Sequence, residues 1–81
     1  MDLIKLKLLA ALKQYAPSLD DEGCFAVEYR TDMTIADALG QTNISEANMR
    51  YTVLVNNVRK KPGDVLEDGD TVTVMALLAG G

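Results

Sequence analysis

The chain of 81 residues has twelve acidic and eight basic side chains and no histidine, which gives a formal net charge of −4 at pH 7. This acidic balance argues against binding to nucleic acid, because phosphates attract a surplus of Lys and Arg. The lack of histidine excludes Ser-His-Asp and Cys-His catalytic arrangements and the usual zinc sites. A chain of this length holds one small domain, and its composition favours a protein that enzymes act on over a catalyst.

Neither a membrane segment nor a signal peptide is predicted. No apolar run approaches the roughly 18–20 residues that cross a bilayer, and Met1–Leu8 lacks the charge order and cleavage site of a signal peptide. We therefore expect a soluble, cytoplasmic protein. Cys24 has no neighbouring His or Lys to activate its thiol, so we interpret it as a packed side chain. The acidic run Asp20–Glu22 lacks the spaced ligands of a calcium loop, and no metal site is predicted.

The N-terminal half predicts two strands and two helices. Leu3–Leu9 alternates apolar and basic residues, the pattern of a strand with one wet face. Ala10–Tyr15 is predicted to be a short helix and Phe25–Arg30 a second strand. A helix is predicted to begin at Thr34, with Asp37 three residues later in a capping-box pattern. It is expected to end at Gly40, before an irregular polar connection over 42–50 with room for one helical turn.

The C-terminal half predicts three more strands: Tyr51–Val55, a short return strand from Val58, and Thr71–Ala76. Asn56-Asn57 and Asp68-Gly69 are predicted tight turns, because Asn and Gly tolerate positive φ.

The order strand, strand, helix, strand, short strand, strand predicts an α+β fold of the β-grasp type. It consists of a mixed sheet of four to five strands with one main helix packed across it. By strand periodicity Val53, Val55, Val72 and Val74 belong to the core. Residues 1–77 are predicted to form the domain, and 78–81 a flexible C-terminal tail.

The tail reads Leu77-Leu78-Ala79-Gly80-Gly81. Glycines lack a Cβ, so Gly80 and Gly81, preceded by the small Ala79, form a thin segment that can thread a narrow channel. Leu77 and Leu78 can fill a groove at the mouth of such a channel. The Gly81 carboxylate can attack the α-phosphate of ATP to give an acyl-adenylate, from which a sulfur nucleophile displaces AMP and leaves a thiocarboxylate. We predict Gly81 as the reacting residue.

Two further groups are candidates for binding a partner. Arg59, Lys60 and Lys61 form the main basic cluster, either a solvated edge that discourages strand pairing or a docking contact for an acidic partner. Met75 and Leu77 lie where the last strand leaves the sheet, and an exposed apolar patch there marks a protein-binding face.

Three short motifs carry a family resemblance: Val55-Asn56-Asn57, Leu66–Val72 and the terminal Ala79-Gly80-Gly81. In their order and spacing they resemble the MoaD/ThiS family of ubiquitin-like sulfur carriers, over nearly the whole chain. The resemblance implies a β-grasp fold with no bound cofactor. It also implies that a ubiquitin-activating-type adenylyltransferase uses ATP to adenylate Gly81, and that a sulfur donor then converts the adenylate to the thiocarboxylate.

Within that family, different parts of the chain resemble two different subgroups. Lys7–Ala16 and the chain length are similar to molybdopterin synthase small subunits, whereas Leu78–Gly81 resembles the ending of thiamine carriers. Molybdopterin formation, with the synthase large subunit as partner, is the first expectation. Sulfur delivery for thiamine, a tungsten cofactor or tRNA thiolation remains open.

Two other classes of function also remain open. A protein modifier joined to lysines through Gly81 uses the same activated carboxyl group, and conjugates on many cellular proteins would favour it. In a β-grasp interaction module Gly80 and Gly81 would be incidental, and function would survive their removal.

Overall fold

The computed structural model describes residues 2–47 and 50–77. Five strands form one mixed sheet in the spatial order β2-β1-β5-β3-β4. They are β1 (Leu3–Leu8), β2 (Phe25–Glu28), β3 (Tyr51–Val55), β4 (Val58–Lys60) and β5 (Thr71–Ala76). The pairing of β1 with β5 is parallel and the other pairings are antiparallel. The predicted β-grasp sheet is confirmed.

The α-helix, α1 (Ile35–Leu39), begins with the predicted capping box. The Thr34 hydroxyl accepts the Asp37 N–H at 3.1 Å, and the Asp37 carboxylate accepts the Thr34 N–H at 3.0 Å. Together they satisfy two donors that a helix start leaves without partners. Ile35 and Leu39 are buried under the sheet, so the cap fixes the entry of the helix that covers the core.

Two 3₁₀ helices, Ala10–Tyr15 and Ile44–Ala47, complete the layer over the core face. The first was predicted as a helix, and the second lies in the connection over 42–50, which was predicted to be irregular with room for one helical turn. That connection is packed because Ile44 and Ala47 are buried. Thr42 is buried with them, and its hydroxyl donates to the Leu39 carbonyl at 2.7 Å and accepts the Ile44 N–H at 3.2 Å.

The core lies between one face of the sheet and these helices. The side chains that are fully buried come from both layers: Ile4, Leu6, Leu8, Leu12, Ile35, Leu66, Val72 and Val74. Val53 and Val55 are also buried, which confirms the core assignment made from strand periodicity. None of the helices within residues 2–47 and 50–77 is long and apolar enough to span a bilayer.

Two strands end earlier than predicted. β1 stops at Leu8, where the next N–H, that of Leu9, still bonds the Val74 carbonyl at 3.0 Å. β2 stops at Glu28, because Arg30 already belongs to a turn in which its carbonyl accepts the Met33 N–H. Asp32 in that turn has a positive φ of 63°, which lies outside the extended region that a strand requires.

A hydrogen-bonded turn begins immediately after β4, at the outer edge of the sheet. The Lys61 N–H donates to the Asp64 carboxylate at 2.9 Å, and the Asp64 N–H donates back to the Lys61 carbonyl at 2.9 Å. These bonds occupy both backbone groups of the residue that follows β4. The edge strand is therefore three residues long and offers little template for pairing with another chain.

Candidate functional site

The predicted reactive tail follows β5 in the sequence. Ala76 pairs with Tyr51, and the next N–H, that of Leu77, donates to the Arg50 carbonyl at 2.9 Å. The backbone is therefore anchored up to Leu77, whose side chain is 46% exposed. The predicted tail residues Leu78, Ala79, Gly80 and Gly81 lie outside the described residues.

The sheet face that turns away from the helices, here called the outer face, leads to this exit. Along β3 the buried Val53 and Val55 alternate with half-buried Thr52 and Leu54. Thr52 lies opposite Met75 and Leu54 lies opposite Thr73. Met75, a predicted partner-binding residue, therefore shares the outer face with Leu54, two positions before Leu77.

Leu54 was not selected by the sequence analysis. The signal that identifies it is the alternation of β3, in which Val53 and Val55 are core and Leu54 must then point outward. A half-buried leucine on a wet sheet face gives that face an apolar centre.

The structure divides the basic cluster between two faces. Arg59 lies opposite Leu54 and therefore on the outer face, whereas Lys60 lies opposite the buried Val53 and faces the helix side. Arg59, Lys60 and Lys61 all line a groove of about 440 Å³ beside β4, whose walls include Tyr51 and Pro62. By register Arg59 therefore belongs to the outer face and Lys60 to the helix side, while all three cations of the predicted cluster line the groove at this edge of the sheet.

Around Lys7 and Arg59 the outer face is positively charged, opposite in sign to the whole protein, whereas Glu28 lies on the same face at the β2 edge. Lys7 is exposed and lies opposite Thr73, so it joins Arg59 on this face. The groove beside Arg59 has three cationic residues and no carboxylate in its lining, although the chain has a net charge of −4. Such a separation of charge steers an acidic partner surface toward one side of the protein.

Cys24 lies away from this region, directly before β2 on the opposite edge of the sheet. It is buried, with 6% of its surface exposed. The N–H groups of Cys24 and Glu22 both donate to the Asp20 carboxylate at 2.9 Å, and they lower the pKa of Asp20. Over the described parts of the chain, no group of His, Cys, Asp or Glu side chains is placed to hold a metal ion.

Comparison with known proteins identifies the fold. No protein-family model and no curated protein sequence matches the chain. Among solved structures, SAMP1 from Haloferax volcanii matches with a TM-score of 0.74 and 23% identity, over 98% of this chain and 99% of that chain. A second structure, H. volcanii small archaeal modifier protein 1, matches with a TM-score of 0.70 and 22% identity, over 91% and 95% of the two chains. The chain therefore has the ubiquitin-like β-grasp fold.

Proposed function

We propose that this protein is a ubiquitin-like sulfur carrier of the MoaD/ThiS type, whose C-terminal Gly81 is adenylated and then converted to a thiocarboxylate. The observation that carries the proposal is the anchoring of Leu77 by Arg50 at the end of β5. It fixes the described backbone up to Leu77, beside an apolar and basic sheet face and four residues before Gly81 in the sequence.

The chemistry divides between the carrier and its enzyme. The Gly81 carboxylate attacks the α-phosphorus of ATP, pyrophosphate leaves, and the resulting acyl-adenylate has a carbonyl that a sulfur nucleophile can attack. AMP then leaves with the carboxylate oxygen. The carrier contributes the position of the carboxylate, since a slender tail can extend about 3.5 Å per residue into an enzyme channel.

The outer face is the proposed docking surface for the activating enzyme and for the sulfur acceptor. Met75, Leu54 and the exposed Leu77 supply apolar contact, Leu78 extends it along the tail, and Arg59 and Lys61 at the rim attract carboxylates of the partner. We place the molybdopterin synthase large subunit first among acceptors. An enzyme of thiamine, tungsten-cofactor or tRNA thiolation is the alternative.

A second candidate function is protein modification. Both similar structures are those of a small archaeal modifier protein. Attack by a lysine amine of another protein on the activated Gly81 carbonyl would give an isopeptide bond with the same loss of AMP. The two functions share the activation step and differ in the nucleophile that follows.

Intact-protein mass spectrometry tests the first function. Incubation with an activating enzyme, ATP and a sulfur donor is expected to raise the mass by about 16 Da, as sulfur replaces one oxygen. The change is expected to map to Gly81. Mapping to Cys24 would contradict the carrier mechanism, and conjugates on many proteins in cell extracts would favour the modifier.

A further inference from the structure

A second groove lies on the helix side of β4, at the end of the sheet away from the tail. Its volume is about 290 Å³, and its apolar lining includes Val58 and Val65 with the buried Ile35 and Val55 behind them. Val58 is 55% exposed and Val65 is 60% exposed. They are the two most exposed large apolar side chains in the described parts of the chain. We name it the Val58–Val65 groove.

The groove is preformed by backbone hydrogen bonds. The segment around Val65 is fixed to the start of α1, because the Ile35 N–H donates to the Asp64 carbonyl at 3.0 Å and the Leu66 N–H donates to the Met33 carbonyl at 2.7 Å. Thr34 and Val65 also form a β-bridge. A partner would therefore bind a surface that needs no ordering, which reduces the entropic cost of binding.

The rim of the groove is acidic. Asp64, Glu67 and Asp70 line it together with a single lysine, Lys60. Over residues 2–47 and 50–77 the ion pair formed is that of Lys5 with Glu22, so none of the three rim carboxylates lies within 4.0 Å of a cation. An apolar floor with an excess of negative charge at its rim is complementary to an apolar side chain flanked by Lys or Arg.

We propose that the Val58–Val65 groove binds a partner protein through a segment that carries an apolar side chain between basic residues. The site lies on the helix side of β4, whereas the proposed activation surface lies on the outer face; Lys60 lines both this groove and the one beside Arg59.

The distance between the Val58–Val65 groove and the tail allows both to be occupied at the same time. Asp70 precedes β5 and Leu77 follows it, and a strand of six residues spans roughly 20 Å. A protein bound at the groove can therefore remain attached while an activating enzyme holds the tail. This arrangement would raise the effective concentration of the carrier near an acceptor tethered through the groove.

The test uses the full chain, labelled with ¹⁵N, and a synthetic peptide that has an isoleucine-valine-isoleucine centre flanked on both sides by arginines. The peptide is expected to shift the amide signals of Val58, Val65 and Glu67 in a saturable manner. Its affinity is expected to be higher at low salt. A matched peptide with glutamates in place of the arginines is expected not to bind.

Variants separate the groove from the rest of the surface. Val65→Ser is expected to weaken peptide binding about tenfold, and Glu67→Gln about threefold at low salt. Leu19→Ser and Glu46→Gln remove an exposed apolar and an exposed acidic side chain elsewhere, and should bind as the wild type does. Sulfur loading at Gly81 should be unchanged in folded Val65→Ser.

The proposal is overturned if no saturable shift occurs, if the acidic peptide binds equally well, or if the shifts map to the outer face. It is also overturned if folded Val65→Ser binds the peptide as tightly as the wild type. Loss of sulfur loading in that variant would make the groove part of the activation surface and would contradict a separate site. Failure of loading in the wild type would count against the carrier function alone.

Discussion

The Asn56 side chain joins the β3–β4 turn to the start of β5 through Asp70. Its Nδ2 donates to the Asp70 carboxylate at 2.9 Å, and its Oδ1 accepts the Thr71 N–H at 3.1 Å. Asp70 in turn accepts the Glu67 N–H at 2.8 Å. One turn residue thus connects two loops that lie 14 positions apart in the chain.

Asn56→Gly is expected to lower the free energy of unfolding by about 1–2 kcal/mol, because it removes both side-chain hydrogen bonds and keeps the positive φ of the turn. Asn57→Gly is the matched control, since Asn57 also has a positive φ, of 71°. Its side chain makes no hydrogen bond with the described residues. Denaturant titration of both variants checks the prediction, which equal effects would contradict.

Ala10 has a left-handed φ of 51° at the start of the first 3₁₀ helix. A Cβ in that region costs about 1–2 kcal/mol, which glycine avoids at some cost in entropy. Ala10→Gly is therefore expected to raise the free energy of unfolding by about 0.5 kcal/mol. Ala11→Gly, within the same helix, should lower it. A loss of stability in Ala10→Gly as large as that in Ala11→Gly would show that the strain is absent.

Asp2 carries a repulsive interaction with Asp68. The negative charge of Asp68 and a hydrogen bond with it raise the pKa of Asp2 above 3.8. Asp2 therefore binds its proton more tightly in the folded state than in the unfolded state. The resulting loss of folding stability is complete above the folded-state pKa of Asp2 and disappears as the pH falls.

Asp2→Asn is expected to raise the thermal midpoint at pH 7 and to lose this advantage at about pH 3. Thermal unfolding at both pH values measures it, with Asp21→Asn as an exposed control. An advantage that persists unchanged at acid pH would exclude repulsion by Asp68 as its cause.

Arg59 and Lys60 are neighbours in sequence that face opposite sides of the sheet. If the outer face docks the activating enzyme, Arg59→Glu should slow adenylation about tenfold at low salt, and added salt should reduce the difference. Lys60→Glu should have a smaller effect because its side chain faces the helix side. Pyrophosphate exchange at several salt concentrations gives the rates, and equal slowing by the two variants would argue against docking at this face.

The position of the terminal carboxylate is expected to matter more for activity than for folding. Removal of Gly80 and Gly81, or addition of one alanine after Gly81, should leave the thermal midpoint unchanged within error. The added residue moves the carboxylate by about 3.5 Å, and such a misplacement can cost on the order of 100-fold in rate. Gly80→Val should also be a poor substrate because its branched side chain obstructs a narrow channel. Adenylation of the extended chain at the wild-type rate would refute the proposed role of Gly81.

Much of the fold could be predicted because local signals agree with it. The alternation of β1, β3 and β5, the Thr34 capping box and the Asn56-Asn57 turn each specify their own conformation. The connection over 42–50 could not be predicted in detail. Its burial depends on Ile44 and Ala47 reaching a core formed by distant strands, and such tertiary contacts leave no short-range pattern.

The candidate site was predictable in its residue types and not in its geometry. The motif around Gly81 and the cluster at Arg59 are visible in the sequence, and Met75 is placed by strand alternation. The assignment of Lys60 and Arg59 to opposite faces depends on the register Val53↔Lys60 and Leu54↔Arg59. The groove between Val58 and Val65 depends on the bridge from Val65 to Thr34, which joins segments far apart in the chain.

The parallel pairing of β1 with β5 has a consequence for biosynthesis. These two strands occupy the second and third places in the sheet, yet they come from opposite ends of the domain. A nascent chain that has not yet exposed Thr71–Ala76 outside the ribosome lacks the partner of both β1 and β3. Because such non-local pairing must await nearly the whole domain, folding is expected to be comparatively slow. A product truncated before Thr71 could still pair β1 with β2 and β3 with β4, but one edge of β1 and one edge of β3 would lack their partner strand and remain open to cellular proteases.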